Sequence, residues 1–110
     1  MSYDLALWRG PRPADDEAAA REFDRLADAA EEKELPSTQA VHELAAALVA
    51  RCGDDSGGVW ATWPPESDSS GDYMYLNLTL DEGEAAVPKI ALTARRMGFV
   101  CYDPQLEEMR

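Results

Sequence analysis

The chain has 110 residues, 45% of them hydrophobic, with three Trp, ten basic and 22 acidic side chains and a formal net charge of −12. That size suits one domain with a single core and excludes two independent cores, while the apolar content excludes a wholly disordered chain. The shortage of cations argues against direct binding to nucleic-acid backbone, where affinity comes from cations displacing counterions, and against anionic membrane surfaces.

In chain order, Tyr3–Trp8 is a short apolar run that predicts a strand, stopped by Gly10, Pro11 and Pro13. Asp15, Asp16 and Glu17 supply a cap and dipole-matched charge for a helix over 15–33. Ala19, Phe23, Leu26, Ala27 and Ala30 give that helix one apolar face, and the opposite face is charged. Leu35-Pro36 breaks it. Ser37 or Thr38 then caps a second helix, whose Val41, Leu44, Ala45, Leu48 and Val49 fall at i, i+3, i+4, i+7 and i+8. Gly53 ends this helix, and 53–58 is a loop by composition.

Val59–Trp63 reads as a second strand, and Pro64–Asp72 as a loop longer than a tight hairpin needs. Tyr73–Leu80 is the clearest strand: Met74, Leu76, Leu78 and Leu80 alternate with Tyr73, Tyr75, Asn77 and Thr79. Asp81-Glu82-Gly83-Glu84 has the D-x-x-E form of a helix start. Pro88 either kinks the first turn of that helix or delays its regular part to about Val87. Ile90, Ala91, Ala94 and Met97 form its buried stripe, and Gly98 fits the C′ position. Phe99–Tyr102 is a last strand. Residues 1–105 are read as one domain and 106–110 as a polar C-terminal tail.

The order β-α-α-β-β-α-β predicts an α+β fold, a ferredoxin-like sandwich with a four-stranded, mainly antiparallel sheet. In that plan the first and third strands are central and parallel, and all helices lie on one face. Leu5, Leu7, Leu76 and Leu78 then face the helices, while Tyr73, Tyr75, Asn77 and Thr79 face away from them. The opening Ser2-Tyr3-Asp4-Leu5-Ala6-Leu7-Trp8, with Glu84–Pro88 and the closing Gly98-Phe99-Val100-Cys101-Tyr102-Asp103-Pro104-Gln105, resembles a family of small uncharacterised bacterial proteins. The resemblance implies an entire domain rather than a fragment of an enzyme. It brings no activity, so it assigns no catalytic residue.

Chemistry-bearing motifs are scarce. There is no GxGxxG, P-loop, HExxH, GxSxG or CxxC. His42, the only histidine, falls at the edge of a helix stripe, where a structural role outweighs that of a general base. Cys52 and Cys101 permit one disulfide without implying it. Asp15-Asp16-Glu17 and Asp81-Glu82 are explained by capping, and Asp54-Asp55 lacks the D-x-D-x-D-G spacing of a calcium loop. No cofactor, metal site or catalytic residue is expected. The start has no basic n-region and no apolar run approaches a membrane span, so the expected location is cytoplasmic.

The sharper signal runs from Cys52 to Pro88, which holds eight carboxylates, no Lys or Arg, and Trp60, Trp63, Tyr73 and Tyr75. The expected partner-binding residues are Trp60, Thr62, Asp68, Asp72, Tyr73, Tyr75, Asn77 and Thr79, on an uncovered sheet face that Trp8 and Tyr102 extend. Aromatics with polar tips are enriched at binding surfaces, and Arg or Lys stacks on them. Aromatics are also ordinary sheet formers, and high charge also serves solubility. The expected function is a noncatalytic interaction module, in its most concrete version an immunity- or antitoxin-type protein, that binds a basic protein through this face. The alternatives are a small-molecule binder or minor enzyme with a pocket at a sheet-to-sheet homodimer, and an acidic occupant of another protein's DNA site.

Overall fold

The computed structural model describes residues 2–53 and 58–110; Asp54-Asp55 lie outside them. The elements are β1 (Tyr3–Arg9), α1 (Asp16–Glu32), α2 (Gln39–Cys52), a 3₁₀ turn (Pro65–Asp68), β2 (Ser69–Ser70), β3 (Tyr73–Leu78), α3 (Glu82–Arg96), β4 (Phe99–Asp103) and β5 (Glu108–Met109). The fold is α+β, with three helices and a five-stranded sheet in the order β2-β3-β1-β4-β5. Each neighbouring pair is antiparallel.

The helices follow the residues that predict them. Asp15 caps α1, its Oδ1 accepting from Ala18 N at 2.8 Å. Thr38 caps α2 and also donates to Asp72 at 2.6 Å. At α3 the cap is not Asp81, whose side chain makes no capping bond. Thr79 does that work: its Oγ1 accepts from Gly83 N at 2.8 Å and donates to the Gly58 carbonyl at 2.6 Å. The helix then runs through Pro88 without interruption. Gly98, at φ 83°, turns the chain back into β4.

The ferredoxin-like plan is corrected on three counts. First, β1 is antiparallel to β3, with Leu5 opposite Leu76 and Trp8 opposite Tyr73, so the expected parallel central pair is absent. Second, Val59–Trp63 contributes only a bridge, Trp60 to Leu78, and Pro64 and Pro65 prevent the ladder from continuing beyond it. The hairpin strand is instead Ser69–Ser70, joined to β3 by the two-residue turn Gly71-Asp72 with Gly71 at φ 60°. Third, the expected polar tail supplies β5, and Arg110 N bonds the Cys101 carbonyl at 2.8 Å.

The tail is held by Asp103, which is fully buried. Its carboxylate accepts from Tyr3 Oη, from the backbone N–H of Gln105 and Leu106, from Gln105 Nε2, and from Arg110 Nε at 3.2 Å. A buried carboxylate without such donors would be strongly destabilising. This one has a donor for every accepting direction it presents.

Helices cover both faces of the sheet. Leu5, Leu7, Met74, Leu76, Leu78, Phe99 and Cys101 pack against α2 and α3, together with Trp60. Ala6, Trp8, Tyr73, Val100 and Tyr102 pack under α1, against Ala19, Phe23, Leu26 and Ala30. The expectation of all helices on one side is therefore wrong, and so is the open tyrosine face. The cause is visible in β1 and β4: Leu5 to Trp8 and Phe99 to Asp103 are buried on every residue, not on alternate ones. A strand apolar on both sides requires cover on both sides. The sheet-to-sheet homodimer consequently has no bare face to use.

Candidate functional site

α1 covers its face of the sheet incompletely. Only Ala19 of this helix is fully buried. Phe23, Leu26, Ala27 and Ala30 remain half-buried. Toward the C-terminal end the small side chains Ala27 and Ala30 leave space between helix and sheet. That space is a groove of about 530 Å³, walled by Phe23, Tyr73 and Tyr75 and rimmed by Glu31, Glu34 and Asp68. Ser69 and Ser70 of the edge strand close one side. No Lys or Arg among the described residues lines it. A smaller groove of about 260 Å³ lies on the other flank of the helix, where Arg9, Arg25 and Lys33 mix with Glu22 and Asp72. Tyr73 borders both.

The rings are ordered by contact. Phe23 stacks on Tyr75 with centroids 6.2 Å apart and planes 15° from parallel, and its other neighbour is Tyr102 at 5.4 Å. Tyr75 Oη donates to Asp4 at 3.0 Å. Burial raises the Tyr75 phenol well above its usual range, helped by that bond to Asp4 and by the nearby Asp4, Tyr73 and Asp68. Burial alone pushes Tyr73 up to about 12. Both phenols are neutral at physiological pH, so the carboxylates supply the groove's charge.

Tyr73 is 6% exposed, and its hydroxyl has no hydrogen-bond partner among the described residues. No sealed side-chain polar atom in those residues lacks a partner. Its oxygen is therefore not sealed in the core but open to the space the ring borders.

Of the eight residues expected to bind a partner, the structure brings three to the groove: Asp68, Tyr73 and Tyr75. Asn77 adjoins it, donating to Asp68 at 2.6 Å. Asp72 lies on the other flank, in the β2–β3 turn beside Thr38. Trp60 is buried in the opposite core with its indole N–H on the Gly53 carbonyl at 2.9 Å, so it does not join the tyrosines. Thr62 sits in the irregular segment before Pro64, and Thr79 is spent on the α3 cap. Trp8 and Tyr102, expected to extend an open patch, are packed 6.2 Å apart under α1. The sequence reading missed Phe23, which it assigned to a core stripe, Glu31, which fell within a helix whose opposite face was read as solvated, and Glu34, which it left unassigned. The acidic run Glu31-Glu32-Lys33-Glu34 at the end of an alanine-rich helix was the available signal.

Elsewhere the reactive side chains are dispersed. His42 is exposed on α2, with Nδ1 3.4 Å from Glu66 Oε2. Both cysteines are free. Burial raises the Cys52 thiol and pushes that of Cys101 up to about 12, which makes both poor nucleophiles. Among the described residues no three His, Cys, Asp or Glu side chains converge as metal ligands, and no helix is long and apolar enough to cross a membrane. Compared with protein-family models, curated proteins and solved structures, the chain matches none. The arrangement is a concave, aromatic-walled slot with carboxylates at its rim.

Proposed function

We propose that this protein is a noncatalytic binding module that receives a cationic group of a basic protein partner in the groove between α1 and the β2–β3 edge. The observation that carries the reading is the groove itself, with three carboxylates at its rim, aromatic walls and no lining cation. Its volume lies in the range of ligand pockets, and cations are attracted both to carboxylates and to aromatic faces. The net charge of −12 steers a basic partner toward the molecule. An immunity- or antitoxin-type protein is the most concrete form of this role. The cytoplasm is its proposed location, where free thiols such as these two persist.

Because any protein this acidic attracts polycations, the test must separate the groove from net charge. A labelled nonapeptide of alternating Gly and Lys or Arg serves as probe, read by fluorescence anisotropy at 0.05 and 0.15 M salt. The triple variant Glu31→Gln, Glu34→Gln, Asp68→Asn should weaken binding at least about tenfold at the higher salt, where long-range attraction is screened. The variant Asp81→Asn, Glu82→Gln, Glu84→Gln, equal in charge change but on the far side of the sheet, should bind like wild type. Equal losses in the two variants would overturn the reading.

A further inference from the structure

We infer that the guest of the groove is an arginine side chain. This rests on the reading of the groove as a cation site and narrows it to a planar guanidinium.

The groups facing the space are suited to accepting hydrogen bonds. Asp68 Oδ2 already accepts from Asn77, which leaves its other oxygen open. Glu31 and Glu34 form no ion pair with any described residue. Tyr75 Oη already donates its hydrogen bond to Asp4, so toward a guest its oxygen can only accept. Tyr73, at 6% exposure, also lines the space, and its hydroxyl has no side-chain partner among the described residues.

Shape then selects between the two common cations. Phe23 and Tyr75 stack on each other 15° from parallel, and with Tyr73 they line the groove with aromatic rings. A guanidinium is a flat, weakly hydrated plate that stacks on aromatic faces while its five N–H groups point outward in its own plane. Laid against the tyrosine wall, it directs those N–H groups at the rim carboxylates and the Tyr73 oxygen. An ammonium is compact and strongly hydrated, with three donors and no flat face, so it reaches the carboxylates but gains less from the aromatic walls and costs more to desolvate.

The experiment compares three peptides, Ac-Gly-X-Gly-NH2 with X as Arg, Lys or citrulline, by NMR titration of the whole protein. Citrulline keeps the planar shape without the charge. The arginine peptide should bind at least about tenfold more tightly than the lysine peptide, and citrulline should not bind. Shifts should centre on Tyr73, Tyr75 and Ala30. Tyr73→Phe removes an oxygen that no other described side chain uses, so the fold is retained; it should reduce the arginine preference several-fold and leave lysine affinity unchanged. Equal arginine and lysine affinities, or a Tyr73→Phe variant with undiminished preference, would sink the guanidinium assignment while leaving the cation site standing. Failure of both charged peptides to shift groove resonances would remove the cation site itself.

Discussion

Replacing Gly83 by Ala tests how tightly α3 is seated on the sheet, because two effects of opposite sign meet there. Alanine is the better helix former by up to about 1 kcal/mol, so on propensity alone the substitution stabilises. The structure reverses this. A Cβ at position 83 would stand 2.6 Å from Leu78 Cβ, 2.8 Å from the Val59 carbonyl oxygen and 3.0 Å from the Leu78 carbonyl carbon. Carbon atoms pack best at about 3.5–4.0 Å, so the nearest contact is roughly 1 Å too short. Two of the three atoms are backbone, and Leu78 is itself fully buried. Relief requires the start of α3 to lift off the sheet, loosening Val87 next to it and straining the Thr79 cap. Overpacking of this kind costs about 1–3 kcal/mol. Set against the propensity gain, which is smallest in a first turn, the expected net destabilisation is about 1–2 kcal/mol. For a chain of this size that lowers Tm by roughly 4–8 °C. Urea unfolding followed by Trp fluorescence gives the free energy and thermal CD gives Tm; Ala85→Gly, at an exposed position of the same helix, serves as the pure propensity control. A Gly83→Ala protein as stable as wild type, or more so, refutes the packing argument.

Asp103→Asn keeps the shape but turns one acceptor into a donor facing Arg110 or the backbone N–H groups of Gln105 and Leu106. Arg110 keeps some solvent contact, so the loss is put at about 2–3 kcal/mol rather than the full value for a sealed ion pair; hydrogen exchange should show the Arg110 amide losing protection first, and unaltered protection counts against the clamp. Alkaline stability follows from Cys101 and Tyr73, both raised by burial to about 12 from ordinary values of 9.0 and 10.0. Well below pH 9 both groups keep their protons in either state, and as pH rises through 9 and 10 the unfolded chain loses them first, so urea midpoints should be level from pH 7 to 8 and fall as pH rises toward 12. Cys101→Val should flatten the first part of that fall, and a level wild-type profile to pH 11 would contradict it. The paired triple variants of the groove and the Tyr73→Phe comparison complete the set.

How much of this was legible beforehand varies with the range of the interaction involved. The period-two alternation from Tyr73 correctly separated Met74, Leu76 and Leu78 from Tyr73 and Tyr75, because successive side chains on a strand point to opposite faces. Asp15, Thr38, Gly53 and Gly98 marked helix ends through bonds and dihedrals that span only a few residues. The unbroken burial of Leu5 to Trp8 was also written in the chain, as a run with no polar interruption, yet it was read as a strand without drawing the conclusion that both its faces needed cover. Thr79 displaced Asp81 as the α3 cap because Gly58, distant in sequence, offered its hydroxyl an acceptor.

The sequence by itself determined which residues are apolar, where most helices start and stop, and that the stretch from Cys52 to Pro88 combines acidic and aromatic side chains with no Lys or Arg. Only the tertiary structure decided that α1 lies over the tyrosines. That placement buried Trp8 and Tyr102, left Trp60 on the opposite side of the sheet, and brought Glu31 and Glu34 to face Asp68 across a groove. Local pattern fixes the direction of a side chain relative to its own strand or helix. What stands opposite it depends on strand pairing and on which face each crossover takes, and those are settled by the burial of the whole sheet.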